Sequence, residues 1–569
     1  MENSVRAKFV SSLEKIFVDG SFDEYPRLDR VSALRGERLS LQLLYAMEPG
    51  DSYRSPEYHT PRISGALAKY ATVRDVKQLP LYKYDGDYSK PSLKEYLRLP
   101  PGLFPDPLTP LIAGNIFGIN DHLIDSLWID IEIPQDMEAG EYTLDLAIDH
   151  VQGIVCVGKG EAVEVGRASV NIEVIGATLP EQTLKHTEWF YCDCLAQYYN
   201  VPVWSERHWE IIENFARTAK NNGINMLLTP VFTPPLDTGV GNERLTTQLV
   251  DIKKSGNRYS FGWKKLDRWI DMCDRVGIKY FEISHLFSQW GASNAPKIMA
   301  TEMGEYKRIF GWETDAHSEE YKKFIRSFLR ALLKHMKARG DDQRCFFHIS
   351  DEPRKDQLPS YKKSKRIVQN ILKDYTIMDA LSDVSFFKKG VTETPIPTSW
   401  HIKDFIDEGI ENPWVYYCGG GPGGYSNRAH AKYSANNRSL GMQMYKFGVV
   451  GFLHWGYNFY NTKCSLDSLN PLLDPSGGKW VPAGDTCLVY PAQDGTALES
   501  IRIIVFNEGL QDMRAMQLCE SLYSKDEVVS AIEEILGKAL DFSVCAPDAA
   551  TMLKIREKIN SMIKEKVAK

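Results

Sequence analysis

The chain has 569 residues, and at roughly 150 residues per domain this length predicts several domains, or one large domain with attachments. Its 75 acidic residues exceed its 68 basic residues, and the net charge of −7 argues against a nucleic-acid partner, because such partners require a basic surface. Hydrophobic residues at 43% and charged residues at 25% are typical of globular proteins and exclude a largely disordered chain or a coiled coil.

The segment 1–20, MENSVRAKFVSSLEKIFVDG, is interrupted by charges and lacks the apolar run of a signal peptide. No window approaches the roughly 20 apolar residues that cross a bilayer. The 10 cysteines are scattered without a CxxC pair, a pattern typical of reduced, buried thiols rather than a zinc site. We therefore expect a cytoplasmic protein that needs neither a membrane nor a metal or other cofactor.

The N-terminal part of the chain, residues 1–180, has the pattern of a β-sandwich. Apolar and polar residues alternate in 31–46, in 127–148 and in 161–175, as expected for strands with one buried face. These segments are joined by turns without intervening helices, which predicts an antiparallel β-sandwich. Between them, residues 49–110 are rich in Pro and Tyr and are predicted to be irregular.

From about residue 181 to 498, short apolar runs alternate with helical stretches, which favours parallel strands linked by helices. Eight such runs predict a (β/α)₈ barrel, with a doubly wound sheet as the alternative. No GxGxxG follows a strand, so the dinucleotide-binding signal is missing. The predicted strands are 185–193, 224–231, 279–286, 345–351, 376–383, 395–402, 414–418 and 450–458.

Helices between these strands are predicted at 207–222, 263–276, 318–339, 358–374 and 434–447, from apolar residues at helical spacing. The connections 384–394 and 403–413 leave little room for a full helix. The last part of the chain, 499–569, has helical spacing and is predicted to be a short C-terminal helical segment. Its lysines indicate a solvated helix face rather than a nucleic-acid patch.

Aromatic residues make up 11% of the chain, which suits a core or a sugar-binding surface. In a (β/α)₈ barrel the chemistry sits at the carboxyl ends of the strands, so residues there are the first candidates. The polar and aromatic residues at the predicted strand ends are Trp189, Asp193, Thr229, His285, His348, Asp351, Glu352, Asp379, Asp383, Trp400, His401, Tyr416, Tyr417, His454, Trp455 and Asn458.

The most informative segment is HISDEP, residues 348–353, in which Asp351 and Glu352 follow the fourth strand. Glycoside hydrolysis needs an acid for the leaving oxygen and a group that stabilises positive charge, and two carboxylates can supply both. The structural alternative is that Asp351 caps a helix whose first turn contains Pro353. The pattern by itself leaves both interpretations open.

A second segment, GFLHWGYN at 451–458, places Trp455 at the mouth of the last strand, where it is either the floor of a sugar site or part of the core. Other catalytic motifs are missing from the sequence. There is no HExxH and no GxSxG, which argues against a zincin and an elbow-type serine hydrolase. The glycine-rich run 419–424 lacks the Gly-Lys-Ser/Thr ending of a phosphate loop.

Several separated motifs resemble the catalytic domain of glycoside hydrolase family 123, also catalogued as domain of unknown function 4091. They are NMLLTPVFTPPLDT (225–238), EISHLFSQWGA (282–292), HISDEP (348–353), GFLHWGYN (451–458), GDTCLVYPAQDG (484–495), SIRI (500–503) and EGLQDM (508–513). The resemblance covers most of 185–515, and an N-terminal sandwich suits the same family.

This resemblance implies a retaining exo-acting β-N-acetylgalactosaminidase in which the 2-acetamido oxygen of the substrate attacks the anomeric carbon. It implies that Glu352 is the general acid and then the base, and that Asp351 orients the acetamido group and stabilises the cation. Around this pair we expect sugar contacts from the remaining candidates, Trp189, His285, His348, Trp400, Tyr416, Tyr417, Trp455 and Asn458.

The expected partner is a small glycan or oligosaccharide, because the sequence has no export signal that would suit intact host glycolipids. Two alternatives remain open from the sequence. One is a glycosidase of the same fold that acts on a sugar without an acetamido group. The other is a carbohydrate-binding protein without catalysis. The oligomeric state is unknown.

Overall fold

The structure is a computed structural model that describes residues 4–49, 58–82, 96–112, 115–120, 122–151, 162–419 and 421–567. The chain divides into two compact units. The sandwich unit comprises Met1–Gln182, Gly423–Phe447 and Leu498–Lys569, and the parallel-strand unit comprises Thr183–Pro422 and Gly448–Ala497. The three-part division at 1–180, 181–498 and 499–569 stays a prediction. Within the described ranges, no helix is both long enough and apolar enough to cross a membrane.

The N-terminal part of the sandwich unit consists of strands. They are β1 (Val5–Ser11), β2 (Arg30–Arg35), β3 (Arg38–Met47), β4 (Tyr58–Ser64), β5 (Ala71–Leu81), β6 (Gly102–Pro110), β7 (Phe117–Gly118), β8 (Ile124–Glu132), β9 (Gly140–Val151) and β10 (Ala162–Thr178).

These strands form two five-stranded sheets, in the orders β1-β3-β8-β5-β6 and β2-β10-β9-β4-β7. The strand pairs are antiparallel as predicted, except that β2 runs parallel to β10. A shared apolar core lies between the sheets, because alternate residues of β3, β8, β9 and β10 point inward; Leu41, Leu127, Leu144 and Ile172 are among its buried members.

The prediction of irregular structure over 49–110 was wrong for the described residues of that segment. They include three strands, β4, β5 and β6. The prolines of β6 obscured its pattern, since proline has no N–H for a sheet ladder. The sheet tolerates them because β6 is an edge strand that pairs within the sheet only with β5.

The elements between residues 183 and 499 are a mixture of strands and helices. In chain order they are β11 (Lys185–Glu188), α1 (Cys192–Tyr198), α2 (Glu206–Asn221), β12 (Met226–Thr229), β13 (Asp251–Ser255), β14 (Arg258–Gly262), α3 (Lys264–Val276), β15 (Tyr280–Ile283), β16 (Ile298–Glu302), β17 (Glu305–Phe310), α4 (Glu319–Arg339), β18 (Cys345–Phe347), α5 (Leu358–Val368), β19 (Met378–Ala380), α6 (Ser385–Lys388), β20 (Thr394–Ile396), α7 (Ile402–Asp407), β21 (Trp414–Tyr416), α8 (Ser434–Lys446), β22 (Gly451–His454), β23 (Val489–Pro491) and β24 (Ala497–Glu499).

All eight predicted strands of this region are present, each shorter than its apolar run. Six form one parallel sheet in the order β18-β15-β12-β11-β22-β21, and β19 pairs in parallel with β20. Single parallel bridges, Phe347 to Ile377 and Thr398 to Tyr416, connect the two sheets. The structure therefore contains half-barrel sheets of parallel strands rather than one regular eight-stranded sheet.

The helix predictions were accurate where the apolar stripe is long. Helices α2, α3, α4 and α8 lie within one residue of their predicted bounds, whereas α5 ends earlier than expected. The short helices α6 and α7 fill the connections that left little room for a full helix. A four-stranded sheet in the order β14-β13-β16-β17 was not predicted. Its strands lie in the segments that follow β12 and β15.

The chain ends in three helices, α9 (Ile501–Leu522), α10 (Lys525–Leu536) and α11 (Ala549–Val567), as the spacing predicted. Within the sandwich unit, α9 packs against β3, β6 and α8. It crosses α8 closely because both helices have a glycine there: a Cβ added at Gly441 would lie 2.0 Å from the carbonyl oxygen of Gly509.

Candidate active site

A cavity of about 220 Å³ lies in the parallel-strand unit, where residues that follow the strands come together. This is the edge at which parallel α/β folds place their ligands. The residues that line it are Trp189, Tyr191, Asp237, Gln289, Trp290, Asp351, Glu352, Ala380, Tyr416, Cys418, Gly419, Leu453, Trp455, Trp480, Val481 and Asp485.

Asp351 and Glu352 are held in the cavity wall by the backbone of neighbouring segments. The carbonyl oxygen of Asp351 accepts a hydrogen bond from Trp290 N at 2.9 Å, and Glu352 N donates to Ala380 O at 3.1 Å. Glu352 has a φ of +40°, a conformation that costs energy for a residue with a side chain and is concentrated at functional sites.

The alternative role for Asp351, as a helix cap, is contradicted by the structure. The short 3₁₀ turn that follows has Arg354 as its N-cap, and α5 has Gln357 as its N-cap. The segment between strand and helix is therefore a bend that presents two carboxylates, not the start of a helix.

The two carboxylates have different surroundings. Glu352 is exposed, and its Oε1 accepts a hydrogen bond from the Tyr416 hydroxyl at 2.6 Å. Asp351 is half-buried, and its pKa is raised well above the usual value, first by burial and then by the charge of Glu352, while His348 acts in the opposite direction.

His348 lies fully buried beneath this pair, between two acidic side chains. Its Nε2 is 2.7 Å from Glu282 Oε1 and its Nδ1 is 3.3 Å from Asp379 Oδ1. Burial lowers the pKa of His348, but the hydrogen bonds and charges of Asp379 and Glu282 outweigh it and raise the pKa to about 9. The ring is therefore an imidazolium at neutral pH.

The two acidic partners of His348 also hold the surrounding chain. Asp379 Oδ1 accepts hydrogen bonds from the backbone N–H groups of Ile349 at 2.9 Å and Ser350 at 3.2 Å, and Tyr361 donates its hydroxyl to Oδ2. Glu282 Oε1 accepts from the indole N–H of Trp189 at 2.7 Å. One buried network thus fixes both the segment that carries Asp351 and the Trp189 ring.

His285 completes the layer beneath the cavity. Its ring stacks on that of His348, with centroids 4.3 Å apart, and meets Trp189 edge-on at 5.5 Å. Within the described residues, neither ring nitrogen has a hydrogen-bond partner. Burial, and then the charge of His348, lowers the pKa of His285 well below its usual value, so the ring is neutral.

Ligand atoms of His285, His348 and Asp379 lie close enough together to consider a metal ion. A metal requires an unprotonated imidazole. Both nitrogens of His348 are instead within hydrogen-bonding distance of carboxylates that keep the ring protonated. The donor set therefore fits a hydrogen-bonded cluster better than a metal centre.

Asp485, which also lines the cavity, positions an aromatic wall. Its Oδ2 accepts hydrogen bonds from Trp455 Nε1 at 2.9 Å and from Gly419 N at 3.0 Å, and its Oδ1 is 3.3 Å from His454 Nε2. The Trp455 ring packs against Trp480 at a centroid distance of 5.7 Å. Two indole rings are therefore available as a surface for a ligand ring.

The structure brings five of the sequence-predicted site residues together in the lining of this cavity: Trp189, Asp351, Glu352, Tyr416 and Trp455. It places His285 and His348 directly beneath the cavity, where they are fully buried.

The other three predicted contacts lie away from the lining. Tyr417 is buried against Phe452 and His454, because neighbouring residues of a strand point to opposite faces. Asn458 uses both ends of its amide on the backbone of Tyr191. Trp400 packs beside Gly421, where an added Cβ would lie 3.1 Å from the ring.

Several residues that line the cavity were not among the predicted site residues. They are Tyr191, Asp237, Gln289, Trp290, Cys418, Trp480 and Asp485. Most of them lie in long loops, where hydrophobic periodicity gives no signal. The motifs 225–238, 282–292 and 484–495 contain four of the seven, so these motifs were the available signal.

A cavity with adjacent carboxylates and an aromatic wall, at the edge where parallel strands end, is the kind of site that glycoside hydrolases use. The sequence profile described as "Glycoside hydrolase 123, catalytic domain" matches residues 189–519, which is more than half of the chain. The chain belongs to glycoside hydrolase family 123, and this membership supports a glycosidase that acts on glycans. A comparison with curated protein sequences finds no match.

Among solved structures, the chain is similar to a family 123 glycoside hydrolase from Clostridium perfringens, studied for glycolipid glycan hydrolysis. The TM-score is 0.72 at 17% identity, over 99% of this chain and 100% of the other, which shows a common fold. A family 2 glycosyl hydrolase from Bacteroides cellulosilyticus DSM 14838 has a TM-score of 0.27 at 8% identity, over 82% of this chain and 47% of the other. A value that low supports no argument.

Proposed function

We propose that this protein is a retaining exo-glycoside hydrolase that removes terminal β-linked N-acetylgalactosamine by substrate-assisted catalysis. The observation that carries the proposal is the adjacent pair Asp351 and Glu352 in one cavity wall. Enzymes that use their own nucleophile need two carboxylates on opposite sides of the sugar ring. Two residues that are adjacent in the chain cannot easily place their carboxylates in this way. A nucleophile supplied by the substrate removes that requirement.

In the first step, the Glu352 carboxyl group donates its proton to the glycosidic oxygen while the bond to the anomeric carbon breaks. The acetamido oxygen of the substrate forms a bond to that carbon and gives an oxazolinium ion. In the second step, the Glu352 carboxylate takes a proton from a water molecule, and the water oxygen attacks the anomeric carbon. The bond from that carbon to the acetamido oxygen breaks, which opens the oxazolinium ring. Asp351 accepts a hydrogen bond from the acetamido N–H and stabilises the positive charge in both steps.

The buried imidazolium of His348 supports this division of roles. Its positive charge lowers the pKa of Asp351, against the effects of burial and of Glu352. This charge favours the ionised form of Asp351, which its proposed charge-stabilising role requires.

The sugar ring is proposed to stack on Trp455 or Trp189, with the Tyr416 hydroxyl near the reacting groups. As part of the same proposal, the eight parallel strands form one closed (β/α)₈ barrel, an arrangement supported by the single bridges that join the two sheets. The proposed substrate is a small glycan or oligosaccharide. The cytoplasmic location stays a prediction.

The test is turnover of an aryl β-N-acetylgalactosaminide by the wild type and two variants. We expect Glu352→Gln and Asp351→Asn each to lower kcat by about 10²–10⁴-fold, the range for loss of a general acid or a charge-stabilising group. Asp356→Asn is the matched control, because Asp356 is an exposed carboxylate a few residues further along the chain.

A thiazoline analogue of the oxazolinium ion is expected to inhibit the wild type competitively. Wild-type rates in both carboxylate variants would overturn the assignment of the pair. Turnover restricted to aryl glycosides with a plain 2-hydroxyl would point to a glycosidase for a different sugar. Sugar binding without product release would point to a binding protein.

A further inference from the structure

Asp237, in the loop after β12, lines the same cavity but has no part in the proposed reaction. Its φ is +50°, in the left-handed region, which aspartate and asparagine adopt more readily than most residues with a side chain. The backbone is fixed from both sides: Asp237 N donates to Gln289 Oε1 at 2.9 Å, and Ser465 Oγ donates to Asp237 O at 2.9 Å. These two contacts hold Asp237 in this conformation at the cavity wall.

The carboxylate of Asp237 lacks the partners that a buried acid normally has. Its Oδ2 is shut off from solvent and has no hydrogen-bond partner in the part of the chain that the structure describes. The nearby guanidinium of Arg244 is engaged elsewhere, with Asp193 at 2.8 and 2.9 Å and with Leu236 O at 3.0 Å. An unsatisfied acceptor of this kind needs a donor from a ligand or from water.

The electrostatic surroundings agree with this geometry. Burial raises the pKa of Asp237 to about 7, with further upward contributions from Asp485 and Glu352, while Arg244 and Lys463 act in the opposite direction. A hydroxyl group that donates to the carboxylate would offset the cost of its burial without adding charge to a cavity that already holds three other carboxylates.

We propose that Asp237 is a substrate-binding residue that accepts a hydrogen bond from a ring hydroxyl of the terminal sugar. The inference rests on the proposed function, because it requires a sugar in this cavity. It makes Asp237 a determinant of which sugars bind, since a site built around a polar acceptor rejects analogues that lack the matching hydroxyl.

The experiment compares the binding of N-acetylgalactosamine and its monodeoxy analogues by the wild type and Asp237→Asn, followed by the fluorescence of the cavity tryptophans. Asparagine tolerates a positive φ, so this variant keeps the backbone conformation. We expect Asp237→Gly, which removes the acceptor, to bind N-acetylgalactosamine about 10–100-fold more weakly, as for loss of a hydrogen bond to a charged group. We expect Asp237→Asn to bind it more weakly than the wild type, because a neutral amide oxygen is a weaker acceptor than a carboxylate oxygen. Asp404→Asn, an exposed position on α7, is the matched control.

The analogues identify the contact. One monodeoxy sugar should bind the wild type as weakly as Asp237→Gly binds the parent sugar, and should lose nothing further in Asp237→Gly. Equal binding of every analogue by Asp237→Asn and wild type would overturn the role of Asp237 and leave the proposed function intact. If wild type binds none of these sugars, the proposed function fails, and the inference fails with it.

A purely structural role for Asp237 predicts a different result. It would lower the midpoint of thermal unfolding of Asp237→Asn. It would also weaken the binding of every sugar equally, including the analogue that lacks the contacting hydroxyl. Asp237→Gly provides a second variant, because glycine adopts the same φ without strain. If both variants keep the wild-type midpoint and both lose discrimination at a single hydroxyl, Asp237 is confirmed as a specificity residue.

Discussion

At the scale of single residues, the site depends on charges placed beneath the cavity. His348 is cationic because two carboxylates flank it, and its charge lowers the pKa of Asp351. We predict that His348→Gln raises the pKa of Asp351 further, because a neutral amide replaces the cation. The acidic limb of the kcat/KM profile should then move to higher pH.

The measurement is a pH–rate profile on an aryl N-acetylgalactosaminide. His401→Gln serves as the control, since His401 is half-exposed at the start of α7 and outside the cavity lining. A variant whose rate falls without any movement of the acidic limb would show a packing role for His348 and would contradict the electrostatic one.

The charge of the cavity lining makes a second prediction. Four carboxylates, Asp237, Asp351, Glu352 and Asp485, line the cavity, and the described lining residues include no Lys or Arg. An anionic substituent on the sugar would meet like charges with little solvent to screen them. We expect a 6-O-sulfated aryl N-acetylgalactosaminide to be hydrolysed at least about tenfold more slowly than its parent.

The control for this prediction is a 6-O-acetyl sugar, which adds bulk without charge. If the acetyl and sulfate derivatives are slowed equally, steric exclusion rather than charge limits the site. If the sulfated sugar is hydrolysed as fast as the parent, the lining does not select against anions.

At the scale of elements, close packing depends on glycine where α8 crosses α9 in the sandwich unit. A Cβ at position 441 would lie 2.0 Å from Gly509 O, so one of the two helices would have to move. We predict that Gly441→Ala lowers the free energy of unfolding by about 1–3 kcal/mol, the usual cost of overpacking. Urea unfolding measures it, with Gly118→Ala as the control because an added Cβ meets nothing within 4 Å there.

The same crossing explains one of the family-like motifs. In EGLQDM, Asp512 makes a bidentate contact with Arg438 and also accepts from Arg556, and Glu508 accepts from Arg438 as well. All four side chains are buried in the sandwich unit. This motif therefore supports an internal ionic cluster, in which loss of one partner would leave a charge buried and unpaired.

At the scale of the whole molecule, buried acids make stability depend on pH. Glu499 is partly buried, but Arg38 and Arg74 outweigh the effect of burial and lower its pKa to about 2. The ionised form stabilises the fold fully above about pH 4.5, the unfolded value, and this contribution is lost as the pH falls toward 2. We predict that stability decreases across that window.

Glu499→Gln should lower stability at neutral pH by about 3 kcal/mol, since each pKa unit corresponds to about 1.4 kcal/mol, and should flatten the decrease between pH 4.5 and 2. Urea titrations at several pH values measure both effects. Glu411→Gln, at an exposed position, is the control. A variant with the wild-type pH dependence would contradict the assignment to Glu499.

Much of the fold could be predicted from the sequence because local periodicity reports on burial. The eight parallel strands, the long helices and the strands over 127–148 all follow from patterns of apolar residues within a few positions of one another. The strands in 49–110 could not be predicted, since β4, β5 and β6 each contain proline, which interrupts the alternating pattern. The small sheet β14-β13-β16-β17 was missed because its strands are short, largely polar excursions.

The sequence by itself determined that Asp351 and Glu352 follow a buried strand, and that Trp189, Tyr416 and Trp455 lie at strand ends, because these features are local. Only the tertiary structure decided which distant groups surround them. Glu282 and Asp379 come from other strands to make His348 cationic, and Asp237 and Asp485 reach the cavity from loops. Such contacts depend on how separate strands converge at one edge, which no local pattern encodes.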